Sequence, residues 1–149
     1  MPVKNNFKFV NFRVTQLNYT QNQAFKDNSV SKGIELSPDF NVTYKKNDST
    51  LFVDLSISFE NPKAPFFLHV ILSGLFELKY QPSDEELDKL AHINLAAILF
   101  PFLRQVVADM TTKAGFAPLL LPPINFSKAY QNTQKKKAIS QESKGKIGS

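Results

Sequence analysis

Residues 94–130 constrain this chain more than any other stretch. They read Asn94-Leu-Ala-Ala-Ile-Leu-Phe-Pro-Phe-Leu-Arg104 and run on through Ala114-Gly-Phe-Ala-Pro-Leu-Leu-Leu-Pro-Pro-Ile-Asn-Phe126 to Tyr130. Leu95, Ile98, Leu99, Phe102, Val106 and Met110 recur at helical spacing, which predicts a helix from about Asn94 to Ala114. Ala96, Phe100, Leu103 and Val107 widen that stripe past one face, so the helix carries more apolar surface than one small subunit covers. Pro101 inside it predicts a kink, or a helix start near Phe100. Gly115 is placed to end the helix with a positive φ. Phe116 to Ile124 holds three prolines and reads as an extended linker. Asn125 can cap a last helix from Phe126 to roughly Lys137.

Ahead of this block the apolar period is two. Lys8 to Tyr19 reads as a strand in which Phe7 and Phe9 share one phase and Val10, Phe12 and Val14 the other. Such a slip predicts a bulge, or burial on both faces. Ile34, Leu36, Phe40, Val42 and Tyr44 form one face of a second strand, with Pro38 in the same phase marking it as an edge or a broken strand. A turn is expected at Lys45-Lys-Asn-Asp48. Leu51, Val53, Leu55, Ile57 and Phe59 alternate with polar residues in a third strand. The fourth has Phe66, Leu68, Val70, Leu72, Phe76, Leu78 and Tyr80 on one face and Phe67, Ile71 and Leu75 on the other. A strand apolar on both faces must be covered on both. Ser83 and Glu86 are spaced as a capping box for a short helix through about His92. Four strands followed by helices predict an α+β fold: a four-stranded antiparallel sheet with the C-terminal helices packed on one face.

A chain of 149 residues fits one domain. The net charge of +5 is localised: residues 1–127 contain 12 Lys+Arg and 12 Asp+Glu, and residues 128–149 contain six Lys and one Glu. The expected organisation is a folded domain over 1–134 and a disordered basic tail over 135–149. With no cysteine, thiol catalysis, disulfides and thiolate metal sites are excluded. The first 20 residues lack the apolar core of a secretory signal. The longest apolar run, Leu95 to Leu103, is about half the length that spans a bilayer. A cytoplasmic protein without membrane insertion is expected.

Catalytic constellations are weak. His69 and His92 are the only histidines, and neither has triad partners at a convincing spacing. Asp84, Glu85, Glu86 and Asp88 lie in a helix's first turn, where carboxylates favour the dipole. No glycine-rich phosphate loop is present, so no nucleotide cofactor, no metal and no enzymatic activity are expected. Phe7-Lys8-Phe9 and Phe12-Arg13 interleave aromatic and basic residues, which leaves a single-stranded nucleic-acid binder open beside an ordinary strand. Leu119, Leu120 and Leu121 are either core or the wall of a groove alongside Phe126 and Tyr130.

Ile98-Leu-Phe-Pro-Phe-Leu-Arg104 resembles the I-L-F-P-Y-A-R segment of the SecB family of protein-export chaperones. Gly115 to Phe126 resembles that family's F-P-Q-L-x-L-x-P-V-N-F stretch. Ser37-Pro-Asp-Phe-Asn-Val-Thr-Tyr44 is similar to its Q-P-E-V-x-L-x-L strand, and Gly74-Leu-Phe76 to its G-I-F. The resemblance covers most of residues 8–131. It implies an ATP-independent chaperone that holds unfolded preproteins, in export or as a general holdase, and a homotetramer built as a dimer of dimers. It implies client grooves lined by Phe40, Val42, Tyr44, Leu119, Leu120, Leu121, Phe126 and Tyr130. It implies an oligomer interface through Phe9, Phe12, Val70, Leu72, Ile98, Phe102 and Val106. Export-dedicated members dock the motor ATPase SecA through acid groups. The matching positions here are Asn18, Asn22 and His69, and the tail is Lys-rich, so SecA is a possible partner whose docking departs from the usual charge pattern. A chaperone for the antitoxin of a toxin–antitoxin system is the alternative within the family.

Overall fold

The computed structural model describes residues 6–25 and 38–147, with side chains on the last helix described through Ile139. Four strands, β1 (Phe7–Gln21), β2 (Asp39–Asn47), β3 (Thr50–Phe59) and β4 (Phe66–Leu78), are followed by helices α1 (Asp84–Lys89), α2 (Ala96–Lys113) and α3 (Phe126–Ile147). The strands form one antiparallel sheet in the order β1-β4-β3-β2. Helices cover one face, as the order of elements predicts.

The predicted slip in β1 is a bulge between Phe9 and Asn11, and a second bulge lies between Val14 and Gln16. Each inserts one residue, so Phe7, Phe9, Phe12, Val14, Leu17 and Tyr19 all stand opposite the helix-facing residues of β4. Lys8 and Arg13 fall on the opposite face. β2 begins after Pro38, which therefore precedes the strand instead of breaking it. Ile34 and Leu36 lie outside the described residues. The β2–β3 turn is tighter than expected: Asn47 still pairs with Thr50, and Asp48 takes a φ of 55°, a region that Asp tolerates.

Leu51, Val53, Leu55, Ile57 and Phe59 of β3 are buried against the helices, as are Phe66, Leu68, Val70, Leu72, Phe76 and Leu78 of β4. Phe67, Ile71 and Leu75 occupy the uncovered face, with the half-exposed Phe52 beside Leu75. Val70 and Leu72 are fully buried by the chain's own helices, which removes them from any interface between subunits. A two-faced apolar strand does not reveal which face its own chain covers. Gly74 sits where α2 comes closest: a Cβ there would lie 2.6 Å from a methyl of Leu99 and 2.9 Å from the Phe76 ring.

Ser83 caps α1 by accepting a hydrogen bond from the Glu86 amide, 3.2 Å away. The expected break before the main helix does not occur. A π-helical segment, Leu90–Leu95, joins α1 to α2, and α2 continues through Pro101. Pro101 and Ala97 are both exposed, so the Ala97 carbonyl that the proline leaves without its helical partner faces solvent. The joined helix, Asp84–Lys113, is 30 residues long and apolar enough in composition to cross a membrane. Its apolar residues Leu87, Leu90, Ala91, Leu95, Leu99, Leu103 and Val107 are buried in the core with the sheet, as a core helix requires. At its end the Phe116 amide bonds to the Thr111 carbonyl and the Gly115 amide to that of Thr112, with Gly115 at φ 94°. This is the Schellman stop that the glycine predicts. α3 extends ten residues past the expected Lys137, through Ala, Gln, Glu and Lys that favour helix.

Candidate functional site

β2 is an edge strand, and its helix-facing residues Phe40, Val42 and Tyr44 point toward the first turns of α3. Asn125 starts that helix by accepting the Lys128 amide on its side chain at 3.0 Å. The start is then anchored by Phe126, which is buried edge-on between Phe40 at 5.7 Å and Phe100 at 5.8 Å. Phe40, Asn41 and Val42 on one side and Phe126, Ala129, Tyr130 and Thr133 on the other line a cleft of about 110 Å³, with His92 at its end.

A carboxylate stands behind the aromatic end of this cleft. The Tyr44 hydroxyl donates to Asp88 Oδ1 at 3.0 Å, and the Tyr130 hydroxyl donates to Asp88 Oδ2 at 2.8 Å. Gln134 makes a longer contact, 3.5 Å, to the same Oδ2. His92 Nδ1 lies 2.8 Å from the Asp88 carbonyl oxygen, and a carbonyl only accepts, so this nitrogen carries a proton. Burial pushes the Asp88 carboxyl up. The hydroxyls of Tyr130 and Tyr44, with the charges of His92 and Lys137, more than offset that and hold it below its ordinary value. Burial, then the bond to Asp88, push the Tyr44 hydroxyl up to about 12, and the same causes raise that of Tyr130. All three groups keep the protonation that these hydrogen bonds need.

The linker is held separately. Thr111 is fully buried and donates to the helix carbonyls of Val107 and Ala108, while its hydroxyl accepts the Leu119 amide at 2.9 Å. Leu121, 2% exposed, belongs to the core, whereas Leu120 is 63% exposed and Leu119 is half-buried. Of the residues expected in a client groove, Phe40, Val42, Phe126 and Tyr130 share the cleft. Tyr44 meets Tyr130 through Asp88, and Leu119, Leu120 and Leu121 stand apart on the linker.

Of the expected interface residues, Phe9, Phe12, Ile98, Phe102 and Val106 are half-buried, and the Phe12 and Phe102 rings stack at 4.3 Å. Val14 and Leu17 extend this surface along β1 at 41% and 45% exposure. On the other face of the sheet Asn18 pairs with His69. Asn22 is buried instead, its amide donating to the carbonyls of Pro62 and Ala64 at 2.8 Å each, so it fastens β1 to the β3–β4 loop.

Sequence reasoning missed Asp88, Thr111 and the role of His92. A signal for the first existed. Two apolar stripes, 40/42/44 and 126/130, both end in tyrosine, and a buried phenol needs a partner. That the partner is Asp88 depends on a long-range approach that no local spacing encodes.

Residues 19–137 match the family described as preprotein translocase subunit SecB. The protein-export protein SecB of Neisseria meningitidis serogroup A is 35% identical over 123 residues, covering 83% of this chain and 80% of that protein. That of Nitrosomonas eutropha is 35% identical over 82 residues, and the match spans about half of each chain, 55% and 51%. Among solved structures, the Mycobacterium tuberculosis SecB-like chaperone in complex with a ChAD peptide from the HigA1 antitoxin superposes with a TM-score of 0.70 at 19% identity, covering 82% of this chain and 93% of that one. A sheet of this order, one helical face and a matching stretch of four-fifths of the sequence agree: the chain belongs to the SecB family of chaperones.

Proposed function

We propose that this protein holds unfolded polypeptides without ATP, by seating apolar side chains in the cleft between β2 and α3 and against the exposed linker. The observation that carries this reading is the cleft itself, with Phe40 and Val42 on one wall, Phe126 and Ala129 on the other, and open in the subunit. Its volume of about 110 Å³ is below the range of roughly 300–1,000 Å³ usual for small-molecule sites, and suits one side chain at a time. Each buried anchor contributes roughly 1.5–3 kcal/mol, against about 4–15 kcal/mol for immobilising the client. One cleft therefore holds little, and several copies joined in one assembly hold a chain by effective concentration. Phe12, Phe102, Val14 and Leu17 supply apolar surface for such copies, and a cytoplasmic homotetramer, a dimer of dimers, fits it. Client segments from preproteins are the expected occupants. No residue here is assigned a catalytic role, and none is assigned to a cofactor.

The test is retention of a reduced, alkylated unfolded protein, measured by fluorescence anisotropy, together with suppression of a client's aggregation. Failure to do either as the native assembly refutes the reading. A second reading has a specific observation in its favour: the structural neighbour from Mycobacterium tuberculosis is bound to an antitoxin peptide, and Asn18 and His69 leave the sheet face without the acid pattern for SecA. Pull-down from native cells separates the two by returning one dominant small partner or many precursors. The nucleic-acid alternative loses its support. Phe9 packs on Phe76 at 5.1 Å and Phe12 on Phe102, while Lys8 and Arg13 stand on the opposite face, so ring and charge cannot meet one strand of bases together.

A further inference from the structure

The two walls of the cleft come from an edge strand and from the last helix. Among the described residues β2 has a strand on one side only. α3 follows a linker with two consecutive prolines, and after Phe126 it turns Ala129, Tyr130 and Gln134 inward. Apolar contact at Phe126 fixes where the helix starts but not its angle to β2. Two side chains reach both walls, His92 by ring contact and Asp88 by hydrogen bonds. Asp88 takes the hydroxyl of β2's Tyr44 on one oxygen and that of α3's Tyr130 on the other.

We propose that Asp88 is the positioning residue of the client cleft, setting its width by holding Tyr44 and Tyr130 on a single carboxylate. This rests on the reading of the cleft as the client site. Three features support it beyond ordinary helix capping. Asp88 is the fifth residue of α1, past the first turn in which the sequence spacing puts it, and the helix cap is already supplied by Ser83. The carboxyl is held ionised by the two hydroxyls, so both bonds are charge-assisted, the strong kind. His92 closes the third side, its ring 5.9 Å from Tyr44 and 5.4 Å from Tyr130, with Nδ1 bonded to the Asp88 carbonyl. The helix geometry that carries Asp88 is therefore tied to the same aromatic cluster. With the clamp made, the walls are preorganised, and a client side chain enters without first ordering α3.

The experiment uses the full chain and two readouts. Amide exchange follows α3, and anisotropy follows dissociation of a reduced, alkylated fluorescent protein. Asp88→Ala is expected to raise exchange in residues 126–139 about tenfold, leave β3 and β4 as they were, and speed client release about tenfold, as loss of a charge-assisted bond implies. Asp88→Asn, whose amide accepts from one tyrosine and donates to the other, restores most of both. Asp88→Ala added to Tyr44→Phe and Tyr130→Phe changes release little further. Should Asp88→Ala not fold, Tyr130→Phe reads the same two quantities. Unchanged α3 exchange overturns the proposal. So does raised exchange with wild-type client release, which would make Asp88 a structural strut alone. A wild-type protein that retains no client sinks the underlying reading, and the clamp's functional role with it.

Discussion

Leu120 and Leu121 are neighbours in sequence and opposites in environment, and replacing each by Asp separates client binding from folding. Leu121 is 2% exposed and Leu120 63%. Removing a buried leucine costs about 2–5 kcal/mol, and placing a carboxylate in the same apolar site adds to that. Leu121→Asp is thus expected to destabilise by about 4 kcal/mol or more, a large part of the roughly 5–15 kcal/mol that holds a domain together. With a urea slope of about 2 kcal/mol per molar, the midpoint falls by about 2 M. Leu120→Asp removes surface that already faces water, so its stability stays within about 0.5 kcal/mol of wild type. A client covering the 63% of Leu120 now open gains about two-thirds of a leucine's roughly 2 kcal/mol, so Leu120→Asp weakens binding by about tenfold. Urea denaturation followed by circular dichroism measures the first quantity, and anisotropy with an unfolded client the second. A Leu120→Asp protein of normal stability and normal client affinity refutes the assignment of the linker to binding. A Leu121→Asp protein with a wild-type midpoint refutes its placement in the core.

Other substitutions probe the frame around the cleft. Gly74→Val forces its side chain into Leu99, and is expected to lower stability by about 1–3 kcal/mol; combining it with Leu99→Ala should cost less than the two single changes together, read from urea midpoints. Thr111→Val leaves the Leu119 amide without its acceptor and is expected to cost about 1–3 kcal/mol, with faster amide exchange at Leu119. Asp88 makes α3 docking acid-sensitive. Its carboxyl is depressed in the folded protein, so its contribution is present above the ordinary value of 3.8 and is lost as pH falls through the lower folded value. The groups that face it are Tyr44 from β2, Tyr130 and Lys137 from α3, and His92 from the π-helical segment. Wild type and Asp88→Ala should therefore differ in α3 exchange at neutral pH and approach one another in acid; a difference independent of pH would exclude Asp88 as the titrating group.

Strands whose solvent face is polar were legible residue by residue. β3 alternates cleanly because Asp54, Ser56 and Ser58 mark the uncovered side. In β1 the first bulge announced itself, since apolar residues on both sides of it changed phase. The second bulge carries the same signal in the change of phase from Phe12 and Val14 to Leu17 and Tyr19, but the expected apolar set ended at Val14, and the residues between, Thr15 and Gln16, are polar. β4 defeated the same logic. Both of its faces are apolar, and only the path of α2 decides that Val70 and Leu72 lie under the chain's own helices. The joining of α1 to α2 was hidden for a related reason. A π-helical turn adds a residue to the helical period, so the apolar stripe shifts and reads as a break. Half of the expected groove residues meet in one cleft. The linker leucines do not join them, because an extended, proline-bound segment has no period from which a facing direction can be read.

The position of the cleft follows from what each part of the fold can tolerate. β3, β4 and α2 share the fully buried core, and a client seated among them would have to displace leucines that make dozens of contacts each. β2 and α3 share only the core's margin, joined by the Phe40–Phe126 pair, the Asp88 carboxylate and the His92 ring. A binding surface for many unrelated sequences must yield slightly to each side chain, which only such margins can do without unfolding. Freedom of that kind also weakens binding, because every wall that must be ordered on contact subtracts from affinity. The Tyr44–Asp88–Tyr130 triangle bounds that freedom. It restrains one end of the cleft by directional hydrogen bonds and leaves Phe40, Val42 and Ala129 to adapt by packing alone. Polar precision behind an apolar wall is therefore consistent with loose selectivity, since the tyrosine hydroxyls are occupied by Asp88 and read nothing of the client.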